Sequence, residues 1–318
     1  MKVLVPLNHI EHIKDYIEHG AGEFYIGFYD ANWTAAFGEY ADINRMSGFK
    51  EIANPYSIEE VLQVIEKVKA YNAPLYVAFN SSMYSREQLV YIKAYLQLLK
   101  QVKVDGVIVS TMELVYMASS LGIPSVISTI AGVYNEDIAR FYYGLGAKRI
   151  ILPRDLSIQE ILSIMEAVPQ VEYEVFMMRN GCAFSDGNCL GFHRKEKCSI
   201  CRSIANADQE LYLRKDDFNS THAMELNHML YNDHFHMFAC GLCAIYDFVC
   251  KNVSACKIVG RSDEWQAVCA DIYWVKENVE IAKKCSSREE YLEKMIFPED
   301  RGVMCKMGLS CYYPEVRF

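Results

Sequence analysis

The segment KRIILPRDLSIQEILSIMEAVPQVEYEVFMM, residues 148–178, decides the fold. It begins with a short apolar run, Arg149–Pro153, and ends with a second one, Tyr173–Met178. Between them, Ser157–Ala167 has helical periodicity and opens with Ser157 three residues ahead of Glu160, the pattern of a capping box. The segment therefore predicts a strand, a helix and a second strand, which is the repeating unit of a parallel sheet.

The same alternation of apolar runs and helical stretches continues in both directions along the chain. Helical stretches such as Ser57–Tyr71, which also opens with a capping box, lie between most of the runs. Eight strands, each followed by a helix, fit a (β/α)8 TIM-like barrel of about 250 residues, with a doubly wound sheet as the second choice. The eight predicted strands are Val3–Leu7, Phe24–Phe28, Leu75–Asn80, Gly106–Ser110, Ser125–Ile130, Arg149–Pro153, Tyr173–Met178 and Cys256–Gly260.

The length that the barrel does not use falls in three places. These are the irregular stretch 29–55, a cysteine-rich insertion at 179–242 after strand seven, and a tail from about Ser286. We therefore expect one barrel over residues 1–285, insertion included, and a C-terminal extension, 286–318, packed on it.

Composition limits the classes of function. The 318 residues are 52% hydrophobic, enough for a large core, and carry a net charge of −9. That charge disfavours a general nucleic-acid binder, although a local basic patch could still bind an RNA loop. No apolar run approaches the roughly 20 residues that span a bilayer, and the first residues turn polar too early for a secretory signal. We expect a cytoplasmic protein that does not enter the membrane.

Four of the twelve cysteines follow strand seven closely, where barrel enzymes place their active sites. Cys182, Cys189, Cys198 and Cys201 are spaced x6, x8 and x2. Thiolates at such spacing suit a tetrahedral zinc ion or a 4Fe-4S cluster, and the spacing alone leaves both open. Reduced cysteines without metal are the third reading. So many thiols without an export signal favour metal binding and point to an anaerobic host.

Other cysteines and histidines are weaker candidates. Two pairs, Cys240 with Cys243 and Cys305 with Cys311, are consistent with a second metal or with spare thiols, and Cys243 is also an alternative ligand for the first site. The insertion further contains a group of histidines that is consistent with a metal site or with a packed loop. They are His222, His228, His234 and His236.

Charged residues at the strand ends are the candidate catalytic groups: Arg154, Glu174, Lys257 and Arg261. Arg154 is placed to bind a carboxylate at the barrel mouth, or else to pair with Asp155 or a nearby loop. Lys257 and Arg261 are four residues apart and so share a face of strand eight, and Glu174 is either a buried acid or the partner of one of these cations. No GxSxG or HExxH motif supplies the machinery of a protease.

The segment EVFMMRNGCAFSDGNC (Glu174–Cys189) resembles the signature of the collagenase-like peptidase family U32. Matching positions are Glu174, Phe176, Cys182, Gly187 and Cys189. Three further segments are similar to the family in the same order: GAGEFYIGF at 20–28, KRIILPRDLSIQEI at 148–161 and SACKIVGR at 254–261. The family normally has Gly and a small residue where this chain has Arg179 and Asn180, and its later cysteine pair is spaced x3. The chain is therefore identified as a short, divergent member.

The resemblance implies two different functions. The family's historical label is protease, a hydrolase. Better-understood members bind a 4Fe-4S cluster through four cysteines and support oxygen-independent hydroxylation of quinone precursors or RNA bases, with prephenate as the implicated oxygen donor. The resemblance thus favours a 4Fe-4S cluster over zinc at Cys182, Cys189, Cys198 and Cys201. It also allows a non-catalytic, cluster-binding partner subunit, and a homodimer or heterodimer with a homologous barrel. The substrate itself, small molecule or macromolecule, is not specified.

Overall fold

The computed structural model describes residues 1–182, 185–189, 236–298, 305 and 311–316. Within them, eight parallel strands form a closed barrel in chain order. The first strand pairs with the last, Leu4 opposite Lys257, so the sheet has no open edge. The predicted (β/α)8 barrel is confirmed, and the doubly wound alternative is wrong. The strands are β1 (Lys2–Pro6), β2 (Glu23–Ile26), β3 (Leu75–Phe79), β4 (Gly106–Val109), β5 (Ser125–Ile127), β6 (Arg149–Ile151), β7 (Glu172–Met178) and β8 (Ala255–Ile258).

Helices surround the barrel and begin where the sequence supplies caps. Ser57 and Ser157 each complete the predicted capping box, and Ser85 forms a third with Gln88. The α-helices are α1 (Ile13–His19), α2 (Ala31–Phe37), α3 (Ile58–Lys69), α4 (Arg86–Gln101), α5 (Met112–Leu121), α6 (Glu136–Gly144), α7 (Ile158–Ala167), α8 (Ile245–Cys250), α9 (Trp265–Ala282) and α10 (Arg288–Lys294), with a single turn at His236–Phe238. Short 3-10 helices occupy Ile10–His12, Ser47–Ile52, Thr129–Ala131, Asp186–Asn188, Leu242–Ala244 and Pro314–Val316.

Strand register determines which side chains fill the barrel. Leu4 of β1 lies opposite both Glu23 of β2 and Lys257 of β8. Because paired residues of parallel strands point to the same side, and alternate residues along a strand share a face, each strand contributes every second side chain to the lumen. The lumen is therefore partly charged, with Glu23, Arg149 and Lys257 all buried.

The stretch 29–55 contains more structure than expected. Asp30 caps helix α2, and Trp33 on that helix is buried against Phe37 and Tyr95. Seven residues are too few for their periodicity to stand out in the sequence, and tertiary packing supplies the stability that an isolated short helix lacks. This packing anchors the loop that follows, which contributes to the barrel mouth.

Residues 311–316 of the tail lie against the end of β7. The hydroxyl of Tyr313 donates to the carbonyl of Phe176 at 3.0 Å, and the hydroxyl of Tyr312 donates to the carbonyl of Arg179 at 2.5 Å. The backbone N–H of Tyr312 donates to the carbonyl of Cys240 at 2.9 Å. These contacts fix residues 311–316 beside the strand that precedes the cysteines, and the domain boundary at 285/286 stays a prediction.

Several predicted site residues lie outside the described residues. They are Cys198, Cys201, His222, His228 and His234. In the described ranges, no helix is both long and apolar enough to cross a membrane.

Candidate active site at the barrel mouth

A buried ion pair joins the cysteine turn to the end of β6. Arg154, three residues after β6, donates from Nε and Nη2 to the two carboxylate oxygens of Asp186, each at 2.9 Å. Its backbone N–H donates to the same carboxylate at 3.2 Å. Asp186 lies in the turn between Cys182 and Cys189, so this bidentate pair fixes that turn at the mouth.

Two further groups complete the environment of Asp186. Arg45 donates to it at 3.1 Å and the hydroxyl of Thr129 at 3.0 Å. Burial favours the neutral acid, but the charges of Arg154 and Arg45 outweigh it and hold the pKa of Asp186 well below its usual value. The carboxylate is therefore ionised at neutral pH and compensates one of its two arginines.

Arg154 has little freedom to bind a ligand. Its guanidinium also donates to the carbonyl of Asn180 and lies 4.4 Å from the ring centroid of Phe176. Of the two predicted roles, ion pair or carboxylate ligand, the structure forms the ion pair, with Asp186 as the partner. Of the two predicted partners, a neighbouring loop provides the acid, while Asp155 accepts a hydrogen bond from Tyr134 at 3.2 Å.

The turn around Asp186 is packed closely on the loop after β5. Gly187 donates its N–H to the hydroxyl of Tyr134 at 2.9 Å. A Cβ added at Gly187 would lie 2.6 Å from the Tyr134 ring and 2.9 Å from the Cα of Gly132, so a side chain does not fit there. The cysteines on either side, Cys182 and Cys189, are half-buried. With Cys198 and Cys201 outside the described residues, the predicted four-thiolate site stays a prediction.

The second set of cysteines converges near the tail. The backbones of Cys240 and Cys311 pair as an isolated parallel β-bridge. The hydrogen bond between Cys311 and Cys305, together with burial and the nearby Cys240 and Cys243 thiols, raises the pKa of Cys311. Over the part of the chain that the structure describes, no three His, Cys, Asp or Glu side chains are arranged to hold a metal ion. Both alternatives for these cysteines, a second metal and spare thiols, stay predictions.

Glu174 and Lys257 form a buried pair inside the lumen. The Lys257 ammonium donates to Glu174 Oε1 at 2.9 Å and lies 4.0 Å from the ring centroid of Tyr25. Burial lowers the pKa of Lys257, and the Glu174 charge opposes that shift. Glu174 is therefore both of the things that the sequence allowed: a buried acid and the partner of a cation. The pair lies within strands β7 and β8, below the mouth.

A second lumen pair, which the sequence did not indicate, lies closer to the barrel's N-terminal end. Arg149 opens β6 and binds Glu23 through Nη1 at 2.5 Å and Nη2 at 3.1 Å. The same guanidinium lies 3.6 Å from Glu174 Oε2, so the two pairs form one network. Strand register could have predicted this pair, because Arg149 and Glu23 are each the first residue of a strand and both face inward.

Arg261 lies three residues after β8, buried at the mouth. Its guanidinium donates to the side-chain oxygens of Asn54 at 3.2 Å and Asn44 at 3.1 Å. These two asparagines, with Arg45, come from the stretch 29–55 that appeared irregular in the sequence. Only the folded loop shows that their amides face the barrel.

A family model described as Peptidase family U32 matches residues 8–300. The tRNA hydroxylation protein P of Helicobacter pylori is 24% identical over 223 residues, covering 68% of this chain and 49% of that protein. The Methanocaldococcus jannaschii protein named Uncharacterized protease MJ0090 is 27% identical over 209 residues, covering 63% of this chain and 47% of that protein.

Among solved structures, that of the U32 peptidase Mk0906 aligns with 18% sequence identity and a TM-score of 0.43, over 56% of this chain and 69% of that one. The chain spans about half the length of the two sequence relatives.

Proposed function

The chain belongs to peptidase family U32, and from this we propose that its barrel performs hydroxylation chemistry related to that of tRNA hydroxylation proteins. The observation that carries the proposal is the match to the Helicobacter pylori tRNA hydroxylation protein P over 68% of the chain. The match covers only 49% of that relative's length, so the proposal concerns the chemistry of the barrel, and recognition of tRNA is assigned to no surface of this chain.

The proposed cofactor is a 4Fe-4S cluster held by Cys182, Cys189, Cys198 and Cys201, with Cys243 as the alternative ligand and zinc as the alternative metal. The donor chemistry fits, because iron–sulfur clusters take thiolate ligands. Two of the four cysteines flank the turn that Asp186 fixes at the mouth. A bound cluster would supply one-electron redox chemistry at that position.

The chain's own residues would hold and polarise the substrate. The Arg154–Asp186 pair orients the cysteine turn, so Arg154 is a positioning residue. Glu174 and Lys257 stay candidate catalytic groups: Glu174 Oε2 is buried and accepts no hydrogen bond from any residue that the structure describes. That oxygen is therefore available to accept a proton or a hydrogen bond from a bound molecule.

Peptide hydrolysis is the second candidate, supported by the relative named as a protease in Methanocaldococcus jannaschii. This reaction would also take place at the barrel mouth, but it requires an activated nucleophile or a metal-bound water. A cluster-binding role without catalysis, in a dimer with a homologous barrel, is the third.

Metal analysis tests the cofactor directly. Anaerobically purified protein, reconstituted with iron and sulfide, is assayed for iron, sulfide and zinc in the wild type and in single Cys→Ser variants. We expect iron and sulfide in the wild type and their loss in C182S, C189S, C198S and C201S. C256S is the matched control, because Cys256 is buried within β8. Zinc without sulfide would reject the cluster.

Nucleoside analysis tests the reaction. The chain is expressed anaerobically in a bacterial strain that lacks tRNA hydroxylation proteins of its own. The tRNA of that strain is then digested and examined by mass spectrometry for nucleosides heavier by one oxygen. Such a nucleoside with the wild type and not with C182S supports hydroxylation. Its absence, together with cleavage of denatured collagen by the same preparation, would support the peptidase instead.

A further inference from the structure

The backbone adopts an unfavourable conformation just before the first cysteine of the turn. Arg179 and Asn180, which directly follow β7, have φ angles of 59° and 49°. Residues other than glycine are disfavoured at positive φ because their Cβ crowds a carbonyl oxygen, and asparagine tolerates this better than arginine. Such residues persist where surrounding groups hold them in place. The segment Arg179–Asn180, which leads to Cys182, should therefore depend on contacts from other parts of the chain.

Side chains from two other elements hold the backbone oxygens of this segment. The hydroxyl of Tyr312, in the tail, donates to the carbonyl of Arg179 at 2.5 Å, and Arg154 donates to the carbonyl of Asn180. The carbonyl of Arg179 belongs to the peptide group that links the two residues. The orientation of this peptide sets ψ of Arg179 and φ of Asn180, so Tyr312 acts directly on the unfavourable conformation.

The side chains of the same two residues are held separately. Arg179 pairs with Asp271 of α9, and Asn180 Nδ2 donates to Asp263 at 3.3 Å. These contacts fix the ends of the side chains and leave the linking peptide to Tyr312.

Tyr312 is buried and keeps its proton. Its exposed fraction is 4%, and its ring centroid lies 6.2 Å from that of Phe176 on β7. Burial raises the pKa of Tyr312, and the charge of Arg154 opposes only part of that rise, so the hydroxyl stays a donor at neutral pH. Removing the hydroxyl would leave a backbone carbonyl without this donor, which destabilises the conformation that the bond favours.

The tail is also docked by contacts that do not involve this hydroxyl. The hydroxyl of Tyr313 donates to the carbonyl of Phe176 at 3.0 Å. The carboxylate of Glu315 accepts the backbone N–H of Ile158 at 2.7 Å, where α7 begins. The tail should therefore stay in place when the Tyr312 hydroxyl is removed, so that a Tyr312→Phe change tests one hydrogen bond.

We propose that Tyr312 is a positioning residue of the candidate active site. Through its bond to the carbonyl of Arg179, the tail holds the segment Arg179–Asn180 in the conformation that places Cys182 at the barrel mouth. Residues 311–316 are thus part of the site. This inference does not rest on the proposed function, because it concerns the position of Cys182 and not the group that Cys182 binds.

The rate at which Cys182 reacts with iodoacetamide measures how often the segment opens. The reduced chain is treated with a chelator, and alkylation of each cysteine is followed by peptide mass spectrometry. Y312F should make Cys182 react about three- to tenfold faster, because it removes one buried hydrogen bond. Y313F is the matched control: Tyr313 is 3% exposed and also donates to a carbonyl of this region, but not to that of Arg179. Its Cys182 should react at the wild-type rate, as should the exposed Cys250 in both variants.

Glycine at position 179 tests whether backbone strain is what the bond opposes. R179G and R179A both lose the pair with Asp271, but only glycine accepts a positive φ without strain. In the Y312F background, Cys182 should therefore react about fivefold or more slowly in R179G than in R179A.

Three outcomes would overturn the proposal. The first is an equal rate at Cys182 in Y312F, Y313F and the wild type. The second is an equal rate in the two double variants, Y312F with R179G and Y312F with R179A. The third is an equal acceleration of Cys182 and Cys250 in Y312F, which would show a general loss of stability and no specific effect on the segment.

Discussion

The carboxylate of Asp186 and the guanidinium of Arg154 meet in a bidentate pair, with both N···O distances at 2.9 Å, although 31 residues separate them in the sequence. The pair connects the end of β6 with the turn between Cys182 and Cys189. The position of the first two thiols thus depends on an interaction with a neighbouring strand as well as on their own loop.

Replacing Asp186 should destabilise the fold strongly. D186N leaves Arg154 and Arg45 buried without their shared counter-ion, and breaking a buried pair from one side typically costs about 3–5 kcal/mol. Urea unfolding followed by circular dichroism measures the loss. The matched control is D137N, whose carboxylate pairs with Arg140 on the exposed face of α6 and should contribute little. Equal stability of D186N and D137N would contradict the buried pair.

The same carboxylate should make stability depend on pH in the acid range. The folded pKa of Asp186 is lowered, so its contribution is fully present above the unfolded value of about 4 and is lost as the pH falls towards the folded pKa. Wild-type and D186N proteins are unfolded with urea at a series of pH values between about 6 and 2. The difference between their free energies of unfolding should shrink as the pH falls; a constant difference would count against the assignment.

The lumen pair of Glu174 and Lys257 should show strong coupling. Among the residues that the structure describes, E174Q leaves the Lys257 ammonium buried without a carboxylate in contact, and K257M leaves Glu174 with Arg149 as its remaining cation. Each change should therefore cost about 3–5 kcal/mol. The double variant should recover much of this loss, because neither charge is then left alone. Double-mutant-cycle analysis of urea unfolding gives the coupling, and additive losses would show that the pair is not a unit.

Gly187 should not accept a methyl group. In G187A the new Cβ meets the Tyr134 ring and the Gly132 backbone, so the cysteine turn must shift. We expect a lower Tm and less bound iron after anaerobic reconstitution. G144A is the matched control: this helical glycine at the end of α6 has open space around it, and alanine there should stabilise by up to about 1 kcal/mol. If G187A binds as much iron as the wild type, cluster binding does not depend on the conformation of this turn.

The periodicity of the sequence was sufficient to predict the barrel but not to predict where each strand ends. All eight predicted strands are present, but the fifth ends at Ile127 and not at Ile130, because Thr129–Ala131 turns into a 3-10 helix. An apolar run signals burial in either conformation, so the sequence cannot separate the last strand residue from the first turn residue.

The site was predictable in its location and less so in its contacts. The position after β7 and the pairing of Glu174 with a lysine follow from strand order and alternation. Arg154 shows the limit: the nearest acid in the sequence is Asp155, yet the partner is Asp186, which meets it only because β6 and β7 are neighbours in space. Asn44 and Asn54 gave no signal at all, since their amides meet Arg261 only in the folded loop.

The closure between β1 and β8 also has a consequence for how the chain folds during synthesis. Lys2 and Leu4 hydrogen-bond with a strand that begins at Ala255, so the first strand keeps one edge unpaired while about 250 further residues are made. At about 5–20 residues per second, that interval is on the order of ten to fifty seconds on the ribosome. The nascent barrel must protect this edge for the whole time, and chaperone dependence should therefore centre on the N-terminal strand.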